Sequence, residues 1–334
     1  MKVLIVNQQE VRRLLPMGEC IDVMADALAA LSRGEAILPL RPIMWIPEIG
    51  GALGMMPGYL ASIGALGLKV VTVFPGNHGT KYDSHQGAVL LFEAKHGRLL
   101  SMMDATEITA IRTAAVSGVA TRLLSRTDSH SLAMLGTGVQ ARTHLEAMML
   151  SRDISSVRVW SRNPDNAKRF AGRATRTHGI PVESVASAED AVKDADIICT
   201  TTSAREPILK GEWVGPGAHI NAVGSSAAVA RELDSAAVRK SRLYVDRRES
   251  ALNEAGDFLI ARQEGAVGDH HIVGEIGELL LKKAEGRRAP GEITLFKSLG
   301  LAVEDLAAAN HIYLKAIEMN AGTLVEFGGE RDDD

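Results

Sequence analysis

The stretch SLAMLGTGVQARTH, residues 131–144, decides the fold class of this chain. Its apolar beginning is typical of a buried strand, and residues 139–150 have the apolar spacing of a helix. Between them, Gly136 permits a tight turn and Gly138 lets the backbone approach a pyrophosphate, while Ala141 allows the helix to pack closely on the strand. Because a helix N-terminus also offers free N–H groups to phosphates, the stretch predicts a dinucleotide-binding turn.

Strand and helix patterns alternate after this turn. SVRVWSR (156–162) predicts a strand, and the helix that follows has Asn163 as its cap and Pro164 as its first residue. Further strands are predicted in DIICTTT (196–202), AHINAVG (218–224), RLYVDR (242–247) and GEITLFKSLG (291–300). Such alternation predicts an α/β fold of the Rossmann type, a doubly wound parallel sheet with helices on both faces.

The chain before residue 130 has a different pattern. Residues 8–33 predict a pair of helices, and residues 105–125 predict another helix. Between them, from 35 to 100, short apolar stretches separated by Gly, Pro, Asn or His predict a mostly antiparallel or mixed sheet. Since 334 residues fit two domains, we expect a second, α+β domain beside the Rossmann domain.

Composition narrows the class of function. A formal net charge of −4 and an aromatic content of 4 % argue against nucleic acid or an anionic membrane as partner. Two cysteines, Cys20 and Cys199, lie far apart in apolar segments, which indicates a reducing compartment rather than a disulfide framework. No apolar run approaches the roughly 20 residues that span a bilayer. We expect a cytoplasmic protein with a solvated tail, GGERDDD.

The end of the second Rossmann strand bears on the choice of cofactor. An NAD-specific site usually has Asp or Glu there, to bind the ribose hydroxyls. This chain has Ser161, Arg162 and Asn163 instead. No carboxylate would repel a 2′-phosphate, and Arg162 could pair with one. NADP(H) is therefore favoured and NAD(H) remains possible; in the alternative interpretation, Arg162 is a solvated surface residue.

Three cations stand in apolar surroundings in the non-Rossmann part: Lys69 in GLKVVTVF, Arg41 in LPLRPIMWIP and Arg112 in EITAIRTAAVSG. A buried cation is costly unless it has an anionic partner. Each could be structural alone, but together they make a carboxylate-bearing substrate plausible.

The histidines point less clearly to chemistry. His78 and His85 lie in a loop that could line a cleft. His270 and His271 adjoin Asp269 and a nearby Glu275, but this spacing matches no strong metal-ligand motif. We therefore predict no metal site.

From about residue 35 to residue 315 the chain resembles the ornithine cyclodeaminase and mu-crystallin family. The matching stretches are GLKVVTVFPGN (67–77), SHQGAVLLFEAKHGRLLSMMDATEITAIRTAAVSGVAT (84–121), LGTGVQARTH (135–144), VRVWSRN (157–163), INAVGSS (220–226), RELD (231–234), LYVDRRESAL (243–252), GEIGELL (274–280) and ITLFKSLGLAVEDLAAA (293–309).

The resemblance implies a homodimer that binds NAD(H) or NADP(H) and acts on small α-amino acids or their imines. It implies a substrate-binding and dimerisation domain of residues 1–120 with 306–334, and a Rossmann domain of residues 121–305. Lys69, Arg112 and Arg41 would hold the substrate carboxylate.

Further residues are expected to complete the site. We expect Met55, Met56 and Tyr59 to line the substrate pocket. The predicted cofactor-binding residues are Thr113, Gly136, Thr137, Gly138, Val139, Gln140, Ser161, Arg162, Asn163, Thr200, Thr201, Thr202, Val223, Gly224 and Ser298.

One departure from the family pattern affects the reaction. Cyclodeaminases of the family carry an aspartate in a pattern like N-A-V-G-G-D, where this chain has Ser225 and Ser226. Serine is not a base near neutral pH without an activating partner. The segment, like VWSRN, is more similar to the mu-crystallin branch, whose chemistry is imine reduction.

Three hypotheses follow. The first is a reductase of α-imino acids, such as 1-pyrroline-2-carboxylate or 1-piperideine-2-carboxylate, that is reversible as an amino-acid dehydrogenase; Arg41 and Arg112 clamp the carboxylate and Lys69 stabilises charge or protonates the imine. The second is ornithine cyclodeamination with catalytic NAD, in which Asp83 or a histidine replaces the missing aspartate. The third is a binding protein that holds a nucleotide or small ligand without turnover.

Overall fold

A computed structural model describes residues 2–77, 80–224 and 226–329. Three sequence features therefore lie wholly or partly outside the described residues: His78, Ser225 and the end of the tail, residues 330–334.

The strands are numbered in chain order. They are β1 (Lys2–Val6), β2 (Ala36–Ile37), β3 (Ile43–Ile46), β4 (Gly51–Leu60), β5 (Ala65–Val73), β6 (His85–Glu93), β7 (Leu99–Asp104), β8 (Ser131–Leu135), β9 (Ser156–Trp160), β10 (Val182–Ser184), β11 (Ile197–Thr200), β12 (His219–Ala222), β13 (Ser241–Val245), β14 (Ile272–Glu275), β15 (Ile293–Lys297) and β16 (Thr323–Glu326).

The helices are numbered in the same way. They are α1 (Gln8–Leu14), α2 (Met17–Ser32), α3 (Ala105–Leu124), α4 (Val139–Ser151), α5 (Pro164–His178), α6 (Ala188–Val192), α7 (Ser235–Lys240), α8 (Arg248–Glu254), α9 (Gly256–Gln263), α10 (Ile276–Leu280) and α11 (Ala302–Glu318).

The chain forms two compact units, Met1–Arg112 with Leu301–Asp334, and Thr113–Gly300. The sequence places the corresponding divisions at 120/121 and 305/306. The first division falls inside α3, a helix of small and apolar residues that runs without a break from Ala105 to Leu124. Nothing in the local pattern of such a helix marks the point where its neighbours change.

The first unit contains a mixed sheet in the order β16-β1-β7-β6-β5-β4-β2, with β3 also paired to β4. Only β1 and β7 run parallel among these pairs within the described residues; the others are antiparallel. This agrees with the sheet and with the helices α1 and α2 that the sequence predicts.

A pair of glycines lets α11 approach this sheet closely. Gly58 and Gly67 lie opposite each other on β4 and β5. A Cβ on Gly67 would stand 2.5 Å from Leu306 Cδ2, and one on Gly58 would stand 3.1 Å from the Cβ of Ala302. The absence of both side chains leaves room for the first turns of α11, and this brings the acidic residues of that helix to β5.

The second unit contains a parallel sheet in the order β10-β9-β8-β11-β12-β15-β13-β14. Every recorded pair of neighbouring strands in it is parallel. Chain order reverses between β8 and β11, and ligands of such sheets bind outside the carboxyl ends of the strands at this point. The Rossmann-type α/β fold predicted from the sequence is thereby confirmed.

Two expectations from composition can be compared with the structure. Cys20 and Cys199 are both free thiols and both buried. In the part of the chain that the structure describes, no helix combines the length and apolarity needed to cross a membrane.

Candidate active site

The glycine turn lies at the carboxyl end of β8. Gly136 has a φ of 123°, a conformation that side-chain-bearing residues rarely adopt. A Cβ there would stand 2.7 Å from Thr201 Oγ1 and 2.9 Å from the Thr201 carbonyl oxygen. Since Gly136 N–H donates to the Trp160 carbonyl at 2.9 Å, the turn touches the last residue of β9 as well as Thr201, the residue that follows β11.

The second glycine begins helix α4. Gly138 is the N-cap, and no side chain caps this helix. A Cβ on Gly138 would meet nothing within 4 Å, so the space in front of the helix is open. Uncapped N–H groups and open space are what a pyrophosphate needs, and Ala141 is buried as the fingerprint requires. The turn therefore fits a dinucleotide.

The residues after β9 have separate roles. Asn163 caps α5, because its Oδ1 accepts from the N–H of Asp165 at 2.9 Å. Thr137 Oγ1 donates to Ser161 Oγ at 3.4 Å. Arg162 is exposed and forms no hydrogen bond or ion pair with any other residue that the structure describes. Of the three predicted residues at this strand end, Arg162 is the charged one, and its guanidinium is available to bind a phosphate.

Residues at the ends of β11 and β12 donate hydrogen bonds to Glu232, which the sequence analysis did not single out. The hydroxyl groups of Thr200 and Thr202 and the backbone N–H groups of Thr202 and Gly224 all donate to its carboxylate. Thr200 is 0 % exposed, so its predicted contact with a cofactor does not involve its side chain. The Thr200 hydroxyl instead binds the buried carboxylate of Glu232.

The remaining predicted cofactor residues lie near these strand ends or on helices of the same unit. The Thr201 hydroxyl donates to the Leu135 carbonyl at 3.3 Å. Backbone hydrogen bonds of 3.0 Å join Val223 N–H to the Thr200 carbonyl and Ser298 N–H to the Ala222 carbonyl. On the helices, Val139 is exposed and Gln140 half-buried in α4, whereas Thr113 is buried in α3.

In the first unit, Lys69 is 2 % exposed in the middle of β5. It lies opposite Met56 of β4 and Val89 of β6, so its neighbours on this face of the sheet are apolar. Its Nζ is 2.7 Å from Asp305 Oδ2 and donates to Thr109 Oγ1 at 3.4 Å.

The surroundings of Lys69 lower its pKa. Burial lowers the pKa of Lys69 to about 8, against the opposing effect of the Asp305 carboxylate. The positive charges of Arg112 and Arg41 lower this pKa further. An ammonium with such a pKa releases and takes up a proton near neutral pH.

Arg112 belongs to the same cluster. Its Nη1 donates to Glu304 Oε2 at 2.7 Å and its Nε to Asp305 Oδ1 at 2.9 Å. Both acids lie in the first turn of α11, where negative charge is favourable. The sequence attributes the anionic partner of these cations to the substrate, but the structure shows that Lys69 and Arg112 have carboxylate partners in the chain itself.

Arg41 adds a third positive charge near this cluster. It is half-buried, and its charge lowers the pKa of Lys69. The three cations predicted from the sequence therefore influence one another within the first unit. The sequence contains a signal for the acidic pair, because Glu304 and Asp305 interrupt the otherwise apolar stretch LAVEDLAAA.

Of the predicted pocket residues, only Met56 shares a face with Lys69. Neighbouring residues of a strand point to opposite faces of the sheet. Met55 and Tyr59 therefore project to the face opposite that of Met56, and the expectation that all three line one pocket is wrong.

The candidate metal residues are engaged elsewhere. Asp269 forms an ion pair with Arg262 at 2.7 Å, and His271 Nε2 lies 2.8 Å from the Val238 carbonyl oxygen. Among the residues that the structure describes, no three His, Cys, Asp or Glu side chains are grouped so as to hold a metal ion.

The chain is similar to known proteins over most of its length. The family model of the ornithine cyclodeaminase/mu-crystallin family matches residues 1–320. The ketimine reductase mu-crystallin of Mus musculus is 44 % identical over 292 residues, which cover 86 % of this chain and 88 % of the mouse protein.

Two solved structures are similar over nearly the whole chain. The Delta(1)-pyrroline-2-carboxylate reductase of Thermococcus litoralis, in complex with NADH and L-proline, has a TM-score of 0.94 and 42 % identity and covers 96 % of this chain and 99 % of its own. An archaeal alanine dehydrogenase dimer with bound NAD has a TM-score of 0.93 and 33 % identity, with coverages of 98 % and 100 %. The chain belongs to the ornithine cyclodeaminase/mu-crystallin family.

Proposed function

We propose that this protein is an NAD(P)H-dependent reductase of small α-imino acids, with cyclic ketimines such as 1-pyrroline-2-carboxylate as substrates. In reverse it acts as an amino-acid dehydrogenase. The observation that carries the proposal is the buried cluster of the first unit, in which Lys69 and Arg112 share the carboxylate of Asp305 and the pKa of Lys69 lies near 8.

The three cations each have a role in this reaction. A hydride and a proton add across the C=N bond, to carbon and nitrogen respectively, and the bound nicotinamide supplies the hydride. Arg41 and Arg112 hold the substrate carboxylate, while Lys69 donates the proton to nitrogen. A pKa of about 8 suits an acid that must be protonated at neutral pH and still give up its proton.

We further propose a preference for NADPH over NADH. The support is Arg162, an exposed guanidinium at the end of β9 that has no carboxylate partner in the described chain. The solved relatives named above carry NADH and NAD, so NADH is the alternative cofactor.

Cyclodeamination is less well supported. It needs a base for the substrate amines, and the family aspartate is replaced by Ser226 in this chain. Asp83, the suggested substitute, is an exposed loop residue. The names of the mouse and Thermococcus relatives also favour reduction.

We also propose that the protein is a cytoplasmic homodimer. Strand β3 and its flanks expose large apolar side chains, including Ile37, Met44, Trp45 and Ile49, and Trp45 is 67 % exposed. Large apolar side chains exposed in this number within one segment are typical of a contact between proteins. The archaeal alanine dehydrogenase is a dimer, and two buried free thiols suit a reducing compartment.

The deciding experiment follows the absorbance of the reduced nicotinamide in purified protein mixed with 1-pyrroline-2-carboxylate and either NADPH or NADH. The reductase should consume cofactor only when the imine is present, and faster with NADPH. Ammonia release from ornithine with catalytic NAD, without consumption of cofactor by imines, would replace the proposal with cyclodeamination. Cofactor binding without either activity would leave a binding protein.

A further inference from the structure

Glu232 is a fully buried carboxylate with four donors. It lies in the segment between β12 and α7 and is 0 % exposed. Its Oε1 accepts from Thr202 N–H at 2.6 Å and from Thr202 Oγ1 at 2.7 Å. Its Oε2 accepts from Thr200 Oγ1 and from Gly224 N–H, both at 2.7 Å. Each oxygen therefore faces one hydroxyl group and one backbone N–H.

This arrangement requires a carboxylate. A backbone N–H can only donate, so both oxygens must accept. A glutamine at position 232 would set its NH₂ group against either Thr202 N–H or Gly224 N–H, whichever way its amide is turned. A glycine is also required at 224, because a Cβ there would stand 2.0 Å from the Thr202 carbonyl oxygen and 2.6 Å from the Glu232 carboxylate.

Glu232 is itself held in place from behind. Asp257 Oδ1 accepts from Glu232 N–H at 2.7 Å and from Leu233 N–H at 2.9 Å. The other oxygen of Asp257 is 2.9 Å from Lys297 Nζ, and both side chains are buried. Lys297 is the last residue of β15. The chain of contacts thus joins the carboxyl ends of β11, β12 and β15, which are neighbours in the sheet.

These strand ends belong to the second half of the dinucleotide fold. The glycine turn and Arg162 lie on β8 and β9, in the first mononucleotide-binding half, whereas β11 and β12 begin the second half. The two halves of such a fold each receive one nucleotide of the cofactor. Glu232 therefore acts on the half opposite to the glycine turn.

We propose that Glu232 is a positioning residue of the cofactor site: its carboxylate sets the loops after β11 and β12 in the arrangement that receives the nicotinamide nucleotide. The proposal rests on the proposed function, since it needs a bound nicotinamide cofactor. In this role Glu232 differs from a buried acid that only stabilises the fold. Loss of its carboxylate should weaken the binding of the nicotinamide half of the cofactor and leave the binding of the adenine half unchanged.

A matched control exists at the other end of the same strand. Asp196 precedes β11 and accepts from the N–H groups of His130 and Ser131, each at 3.0 Å, and from Ser131 Oγ at 2.8 Å. Like Glu232 it is a buried acid with two backbone donors, although it is slightly more exposed and also forms an ion pair with Arg126. It lies at the amino end of the sheet, away from the strand ends that bind ligands.

The experiment compares E232Q, D196N and the unchanged protein by calorimetric titration with NADPH and with 2′,5′-ADP, which is the adenine half alone. For E232Q we expect the Kd of NADPH to rise about tenfold or more, the consequence of a buried charged hydrogen bond that is lost, while the Kd of 2′,5′-ADP stays the same. For D196N we expect a lower thermal midpoint and unchanged Kd values for both ligands.

The readouts separate the possible failures. If E232Q raises the Kd of both ligands equally, or of neither, the positioning role is overturned. An unchanged protein that binds neither NADPH nor NADH overturns the proposed function, and with it this inference. If E232Q does not fold, T200V tests the same contact, because the Thr200 side chain is fully buried and binds Glu232; it should raise only the Kd of NADPH, by a smaller factor, and an unchanged Kd would again contradict the proposal.

Discussion

Lys69 and Arg112 bind opposite oxygens of one carboxylate, that of Asp305. Lys69 Nζ is 2.7 Å from Asp305 Oδ2, and Arg112 Nε is 2.9 Å from Asp305 Oδ1. All three side chains are buried, so solvent screens their interactions little. The charge of Asp305 therefore controls the protonation of Lys69 directly, and the pH dependence of the reaction should report it.

Replacing Asp305 with Asn should move the pH profile. In the unchanged protein we expect imine reduction to fall as the pH rises through about 8, because Lys69 loses the proton that it donates. The carboxylate raises the pKa of Lys69, so D305N lowers this pKa and the fall begins at a lower pH. The measurement is kcat/KM against pH, with E318Q, at the exposed far end of the same helix, as the control. A profile unchanged in D305N would assign the proton to another group.

Replacing Lys69 with Met should abolish most of the chemistry while the sheet is kept. Methionine suits the apolar row of Met56 and Val89, and Asp305 retains Arg112 as its partner. General acid catalysis contributes about 10²–10⁴-fold, and kcat should fall by a factor in this range. The exposed Lys95 provides the control variant K95M. Undiminished kcat in K69M would show that Lys69 is structural.

Replacing Arg162 with Ala should change cofactor preference. A hydrogen bond to a charged group contributes about 1.5–3 kcal/mol, so the KM of NADPH should rise about 10–100-fold, while that of NADH, which lacks the 2′-phosphate, stays constant. K168A removes a nearby exposed charge from α5 and serves as control. Equal changes for both cofactors would rule out recognition of the 2′-phosphate.

The two glycines of the turn should respond differently to alanine. G136A places a Cβ at a φ of 123° and against Thr201, which should destabilise the fold by about 1–3 kcal/mol or more. G138A has open space and a φ of −78°, so its only expected cost is that of alanine at an N-cap, about 1 kcal/mol or less. Its methyl group enters the space assigned to pyrophosphate and should weaken NADPH binding. Thermal midpoints and Kd values test both; normal binding by G138A would contradict that assignment.

Acid should destabilise the second unit through His144. Its Nδ1–H donates to the Gln140 carbonyl at 2.8 Å and its Nε2 accepts from Ser117 Oγ at 2.9 Å, an arrangement of the neutral ring. Burial lowers the pKa of His144 to about 4. At a pH between about 4 and about 6.5, which is the pKa of histidine in the unfolded chain, His144 binds a proton in the unfolded chain but not in the folded chain. Stability should therefore fall as the pH drops from about 6.5 to about 4.

The measurement is the free energy of unfolding against pH, in the unchanged protein and in H144Q. The variant should lose stability at neutral pH but show a shallower dependence on acid. His219, whose pKa burial lowers to about 3, titrates in the same direction and sets the remaining slope. Identical slopes in the two proteins would show that His144 does not contribute.

Local patterns predicted much of the fold and part of the site. The helix α5 begins at Pro164 with Asn163 as its cap, as the sequence indicates, because capping depends only on neighbouring residues. The glycine turn lies between a strand and a helix for the same reason. Short strands such as β10 and β14 were not separately predicted, since three or four residues carry too little periodicity.

What the sequence by itself determined is therefore the order and type of the elements, the dinucleotide turn, and the presence of three cations that need anionic partners. Only the tertiary structure decided which partners they have: Asp305 is 236 residues from Lys69 in sequence and 2.7 Å from it in space. The same holds for Glu232, whose four donors come from segments 8–32 residues away. The physical reason is that propensity, capping and turn formation act between neighbours along the chain, whereas the burial of charge is compensated by whichever groups the packing of distant strands and helices brings within hydrogen-bonding distance.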